Sequence, residues 1–269
     1  MLRSVASRVV VTAGLVVLAL RGVASAQPVD LRTARVVDLT HPFNEKTLYW
    51  PNAPSGFELK RLHFGPADGG YFYAANSFCA SEHGGTHLDA PIHFAEGQAT
   101  VGQIPLDKLI GPAVVIDVAR QATADPDYRL SLEDVKAWER RQGTIPSGAL
   151  VLLRTGWSVR WPDKKRYFGS EVPGDATQLH FPSYGVEAAR FLVETRKAAA
   201  LGIDTASIDY GPSKDFAVHR VALGAGVPGL ENLDHLDALP EKGAWIVALP
   251  MKIGEGSGAP LRAVAFVPR

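Results

Sequence analysis

His83-Gly84-Gly85-Thr86-His87-Leu88-Asp89-Ala90-Pro91-Ile92-His93-Phe94 holds three of the chain's eight histidines. Whether this stretch coils or extends decides what kind of fold surrounds it. His83 and His87 stand four apart, the spacing of metal ligands on one helix face, yet Gly84-Gly85 between them and Pro91 just beyond disfavour a helix. A loop running into a strand fits the residues better. On such a strand His87 and Asp89 share a face, because side chains alternate with period two, and the glycine pair lets the chain fold His83 back toward them.

Working outward, short apolar and β-branched runs recur at 35–39, 113–118, 149–153, 206–209, 244–248 and 262–267, punctuated by Gly and Pro. Such runs read as strands. Residues 57–64 alternate in part and 71–78 are rich in aromatics, so both read as strands with one more exposed face, and the implied sheet is mixed. Two helices stand out. The first begins at Ser131 with Asp134 three residues on, a capping box, carries Leu132, Val135 and Trp138 on one side, and stops near Gly143. The second spans 183–200 with Val186, Ala189, Leu192 and Val193 in one stripe, and a strand around Ser207 follows it. No long linker, low-complexity tract or repeat interrupts the chain, so residues 27–269 read as one α/β domain.

The first 26 residues read differently. Arg3 and Arg8 precede an apolar run at 9–20, and Ala24-Ser25-Ala26 follows it, the pattern of a secretory signal peptide cleaved before Gln27. The run is well short of the roughly 20 residues that span a bilayer. The expected protein is exported, periplasmic or extracellular, and free of the membrane once the signal is removed. Loss of Arg3, Arg8 and Arg21 leaves 25 basic residues against 28 acidic, a balance that gives nucleic acid or an anionic membrane no hold. The single cysteine, Cys79, excludes an intramolecular disulfide, so a conventional core must hold the fold.

Two imidazoles and a carboxylate suit manganese or zinc: neutral nitrogens and one hard anionic oxygen leave net positive charge and open positions for water and substrate. Open positions point to catalysis more than to structure, here hydrolysis by a metal-activated water. A surface loop with solvated histidines is the plain alternative, and the close grouping of three histidines with an aspartate weighs against it. His93 lies six residues beyond His87 and could be a fourth ligand or a general base. The base is the better reading, because imidazole can accept a proton near neutral pH and return it to a leaving nitrogen.

The stretch 83–94 resembles the His-x-Gly-Thr-His-x-Asp-x-Pro-x-His-Phe signature of the cyclase family, which includes bacterial kynurenine formamidases and isatin hydrolases. The likeness extends through Val36-Val37-Asp38-Leu39-Thr40, Trp50-Pro51, Leu153-Arg154-Thr155-Gly156-Trp157 and Gly202-Ile203-Asp204-Thr205-Ala206-Ser207-Ile208-Asp209. The resemblance implies a single domain with a mixed β-sheet core of the swivelling β/α type, flanked by helices. It implies that His83, His87 and Asp89 are metal ligands and His93 the catalytic acid/base. It further implies that His219 and Glu231 hold a second cation bridged through Asp89, though on their own terms a histidine in a short helix and a glutamate in a Gly-rich loop are ordinary surface residues. The match is nearest the isatin hydrolases, given Glu82-His83-Gly84-Gly85, Asn76-Ser77-Phe78-Cys79 and the segment 125–161. By the same resemblance the protein is a homodimer or larger homo-oligomer, and Trp50 contacts substrate.

The expected activity is opening of a cyclic aryl amide, isatin to isatinate. The alternative within the class is an arylformamidase acting on N-formylkynurenine, and outside it an exported protein that binds metal or an aromatic ligand without turnover. Phe43, Tyr71, Phe72 and Tyr73 join Trp50 as candidates for stacking on a flat substrate, although for these four core or interface packing is the commoner fate. Cys79 sits in an apolar strand-like run where a small buried residue is expected. Ser207 lacks a Gly-x-Ser-x-Gly elbow, so neither reads as a nucleophile; Ser207, Asp204 and Asp209 instead read as ordering loops or water near the site.

Overall fold

A computed structural model describes residues 30–269; the expected signal peptide at 1–26 lies outside the described residues. The strands are β1 (Arg35–Asp38), β2 (Glu58–Pro66), β3 (Phe72–Cys79), β4 (His87–Asp89), β5 (Ile110–Asp117), β6 (Arg129–Leu130), β7 (Leu150–Arg154), β8 (Ser183–Tyr184), β9 (Ala200–Ile203), β10 (Gly229–Glu231), β11 (Lys242–Pro250) and β12 (Gly258–Val267). The helices are α1 (Ala119–Ala124), α2 (Leu132–Gln142), α3 (Lys164–Phe168), α4 (Val186–Arg190) and α5 (Ala217–Gly224). No helix among the described residues is long and apolar enough to cross a membrane.

Eight strands form one mixed sheet in the order β1-β12-β11-β5-β7-β9-β10-β4. Strands β5, β7, β9 and β10 run parallel, while β1, β4, β11 and β12 pair antiparallel to their neighbours. The first residues of β12 also pair with β4, which closes the sheet into a ring. Alternation sorts the side chains. Ala113, Val115, Leu150, Leu152, Ala244, Ile246, Ala259, Leu261, Ala263 and Ala265 fill the inside of the ring. Val114, Ile116, Val151, Leu153, Leu201 and Ile203 pack outward against Val135 and Trp138 of α2 and Ala188 and Ala189 of α4. A strand buried on both faces reads as a continuous apolar run, which is why β5, β7 and β9 lack polar alternation. The mixed-sheet α/β architecture expected from the sequence is present.

The α2 cap is as read: Ser131 Oγ accepts from the Asp134 N–H at 3.1 Å, the Asp134 carboxylate accepts from the Ser131 N–H at 2.8 Å, and Gly143 ends the helix at φ 88°. The second helix is shorter than its apolar stripe suggests. Residues 183–184 pair with β6 as a strand, the helix occupies Val186–Arg190 with a wider turn over Phe191–Thr195, and Lys197 reverses the chain at φ 56°. The strand that follows is therefore Ala200–Ile203, not 206–209. The chain leaves the sheet after Ile203 because the Asp204 carboxylate accepts from the N–H groups of Thr155, Gly156 and Trp157 and from Thr155 Oγ1. Burial pushes Asp204 up to about 6 despite these bonds.

Strands β2 and β3 form a separate hairpin, and the expectation of one exposed face fails there. Leu59, Phe64, Phe72, Tyr73 and Phe78 are each at least half exposed, and most of the other hairpin residues are exposed too. Cys79, expected to be buried, is exposed at the end of β3.

Candidate metal centre

Strand register builds the centre. In β4 the middle residue, Leu88, points into the ring core, so His87 and Asp89 point out. Pairing with β10 sets Glu231 opposite His87 and Gly229 opposite Asp89, and pairing with β12 sets Gly258 opposite Asp89. Glu231 is thus a buried strand residue rather than an exposed loop residue. His83 returns over this face through Gly84-Gly85. Gly85 sits at φ 59°, where a Cβ would fall 2.4 Å from Phe43, and a Cβ on Gly84 would fall 2.1 Å from the Tyr49 ring. Helix α5 then lays His219, also buried, over Asp89.

Asp89 is the hub. Its Oδ1 lies 2.6 Å from His83 Nδ1 and 3.3 Å from His87 Nε2, and its Oδ2 lies 3.0 Å from His219 Nε2. Glu231 Oε1 lies 3.2 Å from His219 Nε2, and Glu231 Oε2 lies 3.5 Å from His87 Nε2. Two groups of possible metal donors result, His83-His87-Asp89 and Asp89-His219-Glu231, each with its donor atoms within 4.8 Å of one another.

The surroundings fit a cation. Each imidazole has its remote nitrogen engaged, which frees the other for a metal. His87 Nδ1 lies 3.0 Å from the Gly85 carbonyl, which also accepts from Asn232 Nδ2 at 2.7 Å. His219 Nδ1 lies 2.7 Å from Asp209 Oδ2, and the Asp209 carboxylate also accepts from the backbone N–H groups of Val218 and His219. Asp89, Asp209 and Glu231 are all buried, while no lysine or arginine among the described residues lines the cavity. Burial would raise Asp89, but His83, His219 and His87 hold it well below the carboxylate range. Burial would likewise lower His219, yet Asp209, Asp89 and Glu231 drive it well above the imidazole range. Glu231 is raised by burial and by the Asp89 charge. The raised His219 marks where the buried carboxylates draw positive charge, which a divalent ion would supply on binding, with proton release.

A cavity of about 330 Å³ opens on this face. Trp50, Phe94, Phe168 and Phe216 wall it, with Trp50 edge-on to Phe168 at 6.5 Å between ring centroids. His93 follows β4 in the short turn Pro91–His93, stacks on His83 at 3.8 Å between centroids, and lines the cavity. Burial lowers it to about 4, outweighing the pull of Asp89, which favours the neutral ring with a free nitrogen lone pair.

Every residue singled out for the centre, His83, His87, Asp89, His93, His219, Glu231 and Trp50, borders this one cavity. Tyr71, Phe72 and Tyr73 do not line it; they lie on or beside the exposed hairpin. Phe43 packs against Gly85 instead. Ser207 lines the cavity, and its Oγ accepts from the Asp209 N–H at 3.1 Å. Sequence reading missed Phe94, Phe168 and Phe216, which come from three separate segments with no shared spacing, and Asn232 and Ser257. Asp209 was noticed, and its role as the partner of His219 emerges only from the packing of α5.

A family model described as "Putative cyclase" matches residues 37–210, a span that ends before His219 and Glu231. An isatin hydrolase of Roseibium aggregatum is 35% identical over 208 residues, 74% of this chain and 77% of that protein. A kynurenine formamidase of Polaromonas naphthalenivorans is 29% identical over 233 residues, 87% of this chain and 91% of its own length. Among solved structures, isatin hydrolase A from Labrenzia aggregata bound to benzyl benzoate superposes with a TM-score of 0.80 at 34% identity, covering 88% of this chain and 94% of that one.

Proposed function

The chain belongs to the cyclase family, and from that membership we propose that it opens a cyclic aryl amide, isatin to isatinate, at the cluster around Asp89. The enzyme class is that of its relatives, metal-dependent hydrolases acting on the C–N bond of amides. The observation that carries the reading is a buried carboxylate shared by two donor groups, beside His93 in a cavity walled by aromatic rings.

In this reading His83, His87 and Asp89 hold one divalent ion, manganese or zinc, and Asp89, His219 and Glu231 form the site for a second. A bound divalent cation supplies an acidified water and polarisation of the amide carbonyl. Trp50, Phe94, Phe168 and Phe216 orient the bicyclic plane, and the water oxygen joins the lactam carbon. His93 accepts the water's proton and delivers it to the ring nitrogen as the C–N bond breaks. The product is one ring-opened molecule bearing an aniline and a carboxylic acid, and the acid releases the water's second proton to solvent to become the carboxylate.

N-formylkynurenine hydrolysis is the second reading, favoured by the formamidase that aligns with 87% of this chain. The two are separated by comparing kcat/KM for isatin and N-formylkynurenine at equal metal loading. Isatin is expected to lead by at least about tenfold, about 1.4 kcal/mol. The opposite preference makes the protein a formamidase, and metal binding without turnover of either makes it a binding protein.

The reading includes export and self-association. Leu59, Phe64, Phe72, Tyr73 and Phe78 on the projecting hairpin offer apolar surface that a second copy would cover. Native mass spectrometry of the protein from the periplasmic fraction is expected to show a homodimer or larger assembly of chains beginning at Gln27. A monomer, or a chain retaining residues 1–26, would overturn the respective part.

A further inference from the structure

Glu82, next to the metal-binding motif, reaches across to the turn between β11 and β12. One of its oxygens, Oε2, accepts from the Ser257 N–H at 2.9 Å, from Ser257 Oγ at 2.7 Å and from the Gly258 N–H at 3.3 Å. The same Ser257 Oγ lies 3.0 Å from His83 Nε2. A serine hydroxyl carries one proton and a carboxylate only accepts, so that proton goes to Glu82 and the hydroxyl oxygen accepts from His83. His83 Nδ1 faces a second acceptor, Asp89 Oδ1 at 2.6 Å, so it is when a cation takes the Nδ1 lone pair that the ring's one proton is left on Nε2, donated to Ser257 Oγ. This is opposite to His87 and His219, which turn Nε2 inward.

The turn is anchored where it must be. The Ser257 carbonyl accepts from the Ala90 N–H at 2.8 Å, directly after β4, and the Gly256 carbonyl accepts from the Val101 N–H at 2.9 Å. Gly258 brings its backbone against the imidazole, where a Cβ would lie 2.4 Å from His83 Cε1.

We infer that Ser257 and Glu82 are positioning residues that set the tautomer and orientation of His83, so that the turn before β12, outside the 37–210 family match, completes the first metal site. The inference rests on the metal-dependent reading above. Carboxylate-supported partners of ligand histidines typically contribute 10- to 100-fold to metal affinity.

The test uses the full chain and Zn²⁺ in competition with a chromophoric chelator. Ser257→Ala is expected to weaken zinc binding about 10- to 100-fold, and Ser257→Thr, which keeps the hydroxyl, to restore most of it. Long-range ¹H–¹⁵N spectra of zinc-loaded wild type are expected to show His83 protonated at Nε2, a readout that does not depend on any variant folding. A His83 proton on Nδ1, or wild-type affinity in Ser257→Ala, would overturn the positioning role while leaving the hydrolase reading intact. Wild type that binds no zinc or manganese would overturn both.

Discussion

Asp89→Asn is expected to abolish metal loading and to lower turnover by at least about a thousandfold, the several kcal/mol of transition-state stabilisation that a divalent cation supplies. The substitution nearly conserves volume, so the effect reports charge rather than packing. Asp89 is 1% exposed and faces three imidazole nitrogens within 3.3 Å. It is also the one residue common to both donor groups. An amide in its place leaves each group one anion short and turns an N–H toward nitrogens that should meet a cation. Metal content by plasma mass spectrometry, read beside the rate of amide opening, checks this. A variant that kept its metal and its rate would remove the basis for placing the reaction at Asp89.

His93→Ala is expected to reduce kcat by about a hundred- to ten-thousandfold, the usual contribution of a positioned acid/base, with metal content close to wild type. The alanine also removes the ring stacked on His83 at 3.8 Å, so a loose His83 could mimic a lost base. His93→Phe separates the two effects, because it retains an aromatic ring at the stack without ring nitrogens. Both variants should be equally slow and fully metallated. If His93→Phe turned over within tenfold of wild type, proton transfer would have to come from another group. If both variants lost metal, His93 would be acting on the ligand set rather than on the substrate.

The motif itself was legible because its information is local. Gly84-Gly85 and Pro91 disfavour a helix, and period-two alternation places His87 and Asp89 on one face whatever surrounds the strand. The capping box at Ser131 and Asp134 was readable for the same reason, since its donors and acceptors lie within four residues. The parallel core strands were readable as apolar runs because burial on both faces removes polar alternation. Where local signals were ambiguous the reading erred. Residues 198–200, small and apolar, suit the end of a helix or a buried strand equally well. The run at 206–209 has strand composition but lies beyond the point where Asp204 ties the chain to Thr155-Gly156-Trp157.

By itself, then, the sequence determined the possible metal donors of the first group and their spacing, the neighbouring histidine and a mixed-sheet α/β fold, because each depends on contacts within a few residues. Only the tertiary structure decided how His219 and Glu231, which the sequence named by resemblance alone, come against that group, that four aromatics from distant segments wall one cavity, and that Ser257 reaches His83 from 174 residues away. The reason is register. Pairing β4 between β10 and β12 sets Glu231 opposite His87 and Gly258 opposite Asp89, and no periodicity along one strand encodes what its neighbours bring alongside.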